Sequence, residues 1–234
     1  MYGKNMLRTT NYMGDNMGRI DLHVHSLLSD GELLPSEIAR RAEKLGYEAI
    51  AITDHVDLSN LELIGPRIVE VANELNRYMN VRVIPGVELT HVPVATIDKL
   101  AGLARKLGAE LVLVHGETIV EPVYPGTNDA AIACTDVDIL AHPGLLTIEQ
   151  AEKSMENGIY LELTAKQGHC LANGWIAKVA EKAGSNLLVN TDAHGPDDLL
   201  TLEEAFKVAR GAGLDEDASK KAVIENPKKL VGRI

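Results

Sequence analysis

From Ile20 onward, short aliphatic runs alternate with amphipathic stretches that end at glycine and pass almost at once into the next apolar run. This is the pattern of strand–helix units, and it limits the chain to a small set of folds. Strands are expected to begin at Ile20 and to cover 49–53, 81–87, 111–114, 139–141, 160–163 and 187–190, seven in all, with Pro85 interrupting the third. Such near-continuous apolar runs imply a parallel sheet covered by helices on both faces. An open doubly wound sheet is the alternative, but it would carry a glycine-rich phosphate loop after the first strand, and none is present. The expected architecture is therefore an α/β fold, a (βα)7 barrel, in one domain over 19–234. Residues 1–18 read as an N-terminal tail, with Met17 a possible alternative start.

The intervening helices carry their own punctuation. Pro35 is expected in the first turn of a helix with Ile38, Ala42 and Leu45 on one face, stopped by Gly46. Helices follow over 61–78, after a Thr96 cap up to Gly108, and over 129–134, the last preceded by a loop at 121–127. Thr147 with Gln150 and Thr201 with Glu204 form capping boxes, 171–183 is helical up to Gly184, and a last helix over 216–225 should close at Asn226 and Pro227.

Composition excludes several classes of function. The formal charge of -11 opposes non-specific attachment to nucleic acid or anionic membrane, so nucleic acid is an unlikely partner. No run approaches the length of a membrane span, and residues 1–18 lack a signal-peptide core. Cys134 and Cys170 form neither a CxxC pair nor a disulfide framework, which suits a reducing, cytoplasmic setting. With aromatic residues at only 3%, the core must be built from Val, Ile, Leu and Ala.

Against this aliphatic background, His23, His25, Asp30, His55, Glu88, His115, His142, Asp192 and His194 stand at or just beyond the downstream ends of successive runs. In a barrel, these ends meet at one rim. His23 and His25 alternate along an extended strand and so project to the same side. Buried imidazoles without partners are costly, and their repetition on several strands calls for a common reason. A shared group of divalent ions supplies one, because cations neutralise carboxylates and accept imidazole lone pairs. The mixed donor set favours zinc, manganese or iron over calcium.

Residues 21–25 with 29–31, 52–55, 85–88, His115, His142 with Pro143, and 191–194 resemble the motifs of the PHP (polymerase and histidinol phosphatase) superfamily. The resemblance implies a distorted (βα)7 TIM-like barrel, a cofactor of three divalent metal ions, and hydrolysis of a small phosphorylated substrate by metal-bound hydroxide. It implies one ion on His23, His25, Glu88 and Asp192, a second sharing Glu88 with His115 and His142, and a third on Asp30, His55 and His194. Asp192, His194 or a supporting group such as Asp54 would then carry acid or base function.

At the same rim, 164–169 supplies no expected ligand, which makes Lys166 and His169 the candidate contacts to phosphate. His91 and Glu117 read as loop or supporting residues, and Asn173 and Trp175 as helix packing. No arginine follows the fifth, sixth or seventh strand, unlike related phosphatases, which argues against histidinol phosphate as substrate. The short loops suggest an open cleft. Two other functions fit such a barrel. An amidohydrolase-like carbon–nitrogen hydrolase would ordinarily add an eighth strand and a bridging lysine, and a nucleic-acid scaffold like ribonuclease P subunits would show missing ligands and a basic surface. Nothing in the pattern speaks to oligomeric state.

Overall fold

A computed structural model describes residues 18–234, so the expected tail lies outside the described residues except for Gly18. Among the described residues eight strands form: β1 (Arg19–Asp21), β2 (Tyr47–Ile52), β3 (His55–Val56), β4 (Arg82–Leu89), β5 (Leu111–His115), β6 (Ile139–Ala141), β7 (Tyr160–Thr164) and β8 (Leu187–Asn190). All pairings are parallel in the order β1-β2-β4-β5-β6-β7-β8, and β3 is a two-residue continuation of β2 that pairs with β4. These are the seven barrel strands read from the sequence.

The barrel is drawn together beyond the strand ends. Val24 bridges Ala193 in parallel, the His25 N–H donates to the Ala193 carbonyl at 2.9 Å, and the Asp192 N–H donates to the His23 carbonyl at 2.9 Å. The first and last strand exits are thereby tied to each other at the rim that carries the histidines.

Side chains alternate between two apolar regions, as a period of two requires. Ile20, Leu22, Ala49, Ala51, Ile84, Leu111, Leu113, Ile139, Ala141, Tyr160 and Leu188 form one cluster. Because every barrel strand contributes alternate residues, this is the barrel interior. Ile50, Ile52, Val83, Val112, Val114, Leu140, Leu161 and Val189 belong to the larger cluster under the helices. Following the interior positions toward the strand ends, apolar gives way to polar. Ile84 leads to Glu88, Leu113 to His115, Tyr160 to Glu162, and Leu188 to Asn190. The barrel floor is hydrophobic and its mouth is ionisable.

Helices α1 (Pro35–Lys44), α2 (Leu61–Leu75), α3 (Ile97–Lys106), α4 (Thr127–Ala133), α5 (Ile148–Asn157), α6 (Asn173–Ala183) and α7 (Leu202–Gly211) cover the outside. Both expected capping boxes form. Several local expectations are corrected. The third expected strand runs through Pro85, whose carbonyl still accepts from the Glu110 N–H, so the missing donor does not end it. Thr96 turns its hydroxyl back to the Pro93 carbonyl after a short 3-10 turn instead of capping α3. Leu45 is exposed beyond the end of α1. The last expected helix does not close at Asn226. Helix α8 (Glu216–Lys220) widens to a π-helical turn over Lys221–Glu225, and α9 (Asn226–Val231) continues with Pro227 in its first turn, where a missing N–H costs nothing.

Candidate metal centre

All nine expected residues converge at the rim. His23, His25, Glu88, His142 and Asp192 are essentially buried, whereas Asp30, His55 and His194 stand nearer the mouth. A cavity of about 370 Å³ opens over them, lined by Asp30, His55, Thr90, His91, His115, Glu121, His142, Lys166, His169, Asp192 and His194. Among the described residues, Lys166 is the one lysine or arginine in that lining. His169 also faces the cavity, its ring stacked on that of His142 with centroids 4.3 Å apart.

The donor atoms fall into overlapping groups. His23, His25 and Asp192 form one, His23, Glu88 and His142 another, and His25, Asp30, His55 and His194 a third. The first group holds three of the four residues expected at one ion, without Glu88, and the third holds Asp30, His55 and His194 together with His25. His115 groups with His142 and His169 and, on its other side, with His91 and Glu121.

The hydrogen bonds made by the far ring nitrogens fix what the near nitrogens can do. His23 Nδ1–H donates to Glu162 Oε1 at 2.8 Å, leaving the Nε2 lone pair 3.4 Å from Glu88 Oε1. His194 Nδ1–H donates to the Asp192 carbonyl at 2.9 Å, leaving Nε2 3.2 Å from Asp30 Oδ2. A lone pair on either near nitrogen would face a carboxylate oxygen, an arrangement that repels unless a proton or a cation intervenes. His23 Nε2, His25 Nδ1, His25 Nε2 and Glu88 Oε1 are buried with no hydrogen-bond partner. Buried polar atoms are rarely left so, and two ligands of one ion with bonds of about 2.0–2.2 Å sit roughly 3–3.5 Å apart. The donor set fits divalent cations, with a carboxylate behind His23 of the kind that orients metal-binding histidines.

The charge balance agrees. Burial disfavours the ionised form of Glu88, yet His23 and His55 outweigh it and hold the carboxyl well below its usual range. Burial likewise opposes a charge on His55, but Glu88 and Asp30 raise its imidazole to about 10. His25 is pushed down to about 4, by burial first, with His55 and His23 adding repulsion that Asp192 does not cancel. Without cations, protons must shield the carboxylates, and not every imidazole can take one.

Three residues the sequence reading did not single out build the site's support. Glu162, fully buried on β7, accepts from His23, from Asn190 Nδ2 at 2.8 Å and from the His142 N–H at 3.1 Å. Asp21 pairs with buried Arg19 at 2.9 Å and accepts from the Thr191 N–H at 3.1 Å, setting the chain just before Asp192. Glu121 lies among His91, His115 and His169. Asp54 accepts from the N–H and hydroxyl groups of both Ser26 and Ser29, which ties down the turn bearing Asp30. Glu117 accepts from the N–H groups of Gly126 and Asn128 and so shapes the loop after β5. The backbone is strained here too. His91, His142 and Asp192 are the non-glycine residues with positive φ among the described residues, at 52°, 27° and 54°. Such conformations cost about 1–3 kcal/mol each and persist where the surroundings impose them.

The sequence model of the PHP domain matches residues 21–202, and the chain belongs to that family. It is similar to an uncharacterised protein of Methanocaldococcus jannaschii, 48% identical over 92% of this chain and 100% of that one. A probable phosphatase of Thermoanaerobacter sp. is 30% identical over 85% of this chain and 88% of its own length. A ribonuclease P protein component 3 of Methanosarcina barkeri is 26% identical over 91% and 88%. Among solved structures, the histidinol phosphate phosphatase of Lactococcus lactis, complexed with zinc, L-histidinol and phosphate, superposes with a TM-score of 0.58 at 16% identity, over 84% of this chain and 94% of that one. That likeness is one of fold. Among the described residues, no helix is long and apolar enough to cross a membrane.

Proposed function

We propose that this protein is a metal-dependent phosphoesterase that hydrolyses a small phosphorylated substrate at the barrel mouth. The observation that carries the reading is the set of imidazole nitrogens aimed at carboxylate oxygens, with their far nitrogens committed to other acceptors. We assign His23, His25, Asp30, His55, Glu88, His115, His142, Asp192 and His194 to a centre of three zinc, manganese or iron ions. Held by these residues, such ions would supply a water of lowered pKa as nucleophile and would offset the negative charge on the phosphate oxygens and the leaving alkoxide.

The chain's own residues supply the rest. Lys166 meets the phosphoryl group from the cavity wall, and His169, steadied by Thr118 Oγ1 at 2.7 Å, lies against it. Asp192 is held ionised, against its burial, by His23, His25 and His142, which suits a ligand or base. His194, at the mouth, is assigned to proton delivery to the leaving group. The family membership and the phosphatase relative support this reading.

A scaffold that binds nucleic acid without catalysis is the second reading, favoured only by the ribonuclease P relative. The full ligand set and the charge of -11 weigh against it. A carbon–nitrogen hydrolase is disfavoured by the seven-stranded barrel. Phosphate release from a panel of monoesters and diesters, measured with added manganese or zinc and again with chelator, tests the assignment. Turnover of nitrogenous substrates with no phosphate release would reverse it.

A further inference from the structure

A second cavity, of about 220 Å³, adjoins the one over the metal ligands, and His91 lines both. It lies where the exits of β3 and β4 meet the start of α3, and Leu58, Val92, Pro93 and Leu100 give it an apolar wall. Val92 and Leu100 are buried in the core under the helices, so their part of the wall is close-packed and fixed. Leu58, by contrast, is 68% exposed, a large apolar side chain left in water at the pocket.

The polar groups of this wall are already committed. Thr96 donates its hydroxyl to the Pro93 carbonyl at 2.7 Å, which leaves its methyl group to offer a ligand. Asp57 Oδ1 accepts from the N–H and the hydroxyl of Ser59 at 2.7 and 2.6 Å. His91 Nε2 lies 3.0 Å from Glu121 Oε2. Lys99 is exposed, and a lysine keeps its head in water while its stem covers apolar surface. A sugar or polyol placed here would give up water without gaining partners, whereas an apolar group gains by leaving water. An apolar cavity of about 150 Å³ holds benzene, so this pocket has room for a ring with a short substituent.

Phosphorus bound beside Lys166 and the metal ligands leaves the organic part of an ester at the mouth, and His91 is the residue that the two cavities share. Its strained backbone, at φ 52°, sets the imidazole at that divide. We propose that the pocket beside His91 receives the organic group of the substrate, and that this group is an apolar ring, making the substrate the phosphate monoester of an aromatic or alicyclic alcohol. The inference rests on the phosphoesterase reading above and adds Leu58 and Thr96 to it as specificity-determining residues.

The test uses the zinc-loaded full chain and two pairs of probes, benzyl phosphate against hydroxyethyl phosphate for turnover and benzylphosphonate against methylphosphonate for binding by calorimetry. Wild type is expected to favour the benzyl member of each pair by at least about 10-fold, in kcat/KM and in Kd. Leu58→Asp places a charge at the pocket and Thr96→Phe fills it, and each is expected to remove most of both preferences. Zinc content and circular dichroism check that the centre and the fold persist in both variants. A benzyl preference kept in both variants seats the ring elsewhere and overturns the pocket. Turnover of both esters without a benzyl preference in wild type overturns the substrate class and leaves the phosphoesterase standing. If neither ester releases phosphate, the functional reading falls, and the phosphonate pair still decides whether the pocket binds a ring. A wild-type dimer in sedimentation that Leu58→Asp dissociates assigns the pocket to a second copy and overturns it as a substrate site.

Discussion

Glu162→Gln tests how far the centre depends on a residue that would touch no ion. Glu162 accepts three hydrogen bonds in the dry interior, two on Oε1 and one on Oε2. A glutamine oxygen in the Oε1 position keeps the bonds from His23 and Asn190, but its NH2 then meets the His142 N–H, donor against donor. The opposite orientation leaves His23 and Asn190 without their acceptor. Either way a buried donor is stranded, at about 1–3 kcal/mol, and the negative charge behind His23 is gone. Loss of such a supporting carboxylate weakens metal binding about 10–100-fold, equivalent to roughly 1.4–2.7 kcal/mol. Zinc titration of the stripped protein against a fluorescent chelator reads this directly. A folded Glu162→Gln protein with wild-type zinc affinity would refute the argument that Glu162 sets the tautomer and basicity of His23.

Four further outcomes follow from the same geometry. His142→Ala and Asp192→Asn should each abolish most metal-dependent phosphate release while the far-UV circular dichroism is retained; undiminished rates in both would eliminate the site. Lys166→Ala should lower kcat/KM by about 10–100-fold through loss of a charge-assisted bond to phosphate, mainly in KM, and an unchanged KM would remove Lys166 from the substrate contacts. At pH 7.5 His55 is protonated in the metal-free protein because its pKa is raised to about 10, so zinc must displace that proton. Calorimetry in two buffers of different ionisation enthalpy should register net proton release, and identical heats in both would contradict it. In Gly31→Ala the added Cβ would overlap the His25 carbonyl oxygen, displacing the turn that carries Asp30. The melting temperature should fall by roughly 2–8 °C, with an unchanged value showing that the turn yields freely.

The strand-end histidines were legible in the sequence because parallel strands deliver their exits to one rim whatever the helices do. His23, His142 and His194 needed only the βα alternation to be brought together. Glu162 was legible in principle, as the one acid inside the apolar run of β7 and two residues from Tyr160, which shares its face. Glu121 was not. It sits in an aperiodic loop with two nearby prolines, and only the path of that loop carries it back over His115. His91 was visible at the rim, but its aim depends on a positive φ that no spacing rule signals. The failed Pro85 break, the Thr96 cap and the Asn226 stop share a different cause. Each is a local rule that tertiary contacts or an available alternative hydrogen bond overrode.

The most direct test of the central claim is an anomalous difference map at the zinc absorption edge from crystals grown with zinc. The account predicts peaks within about 2.0–2.2 Å of His23 Nε2, His25 Nε2 and the carboxylates of Glu88 and Asp192, and others at the mouth beside Asp30 and His194. A map with no peak among these side chains, in crystals whose zinc is bound elsewhere on the chain, would contradict it.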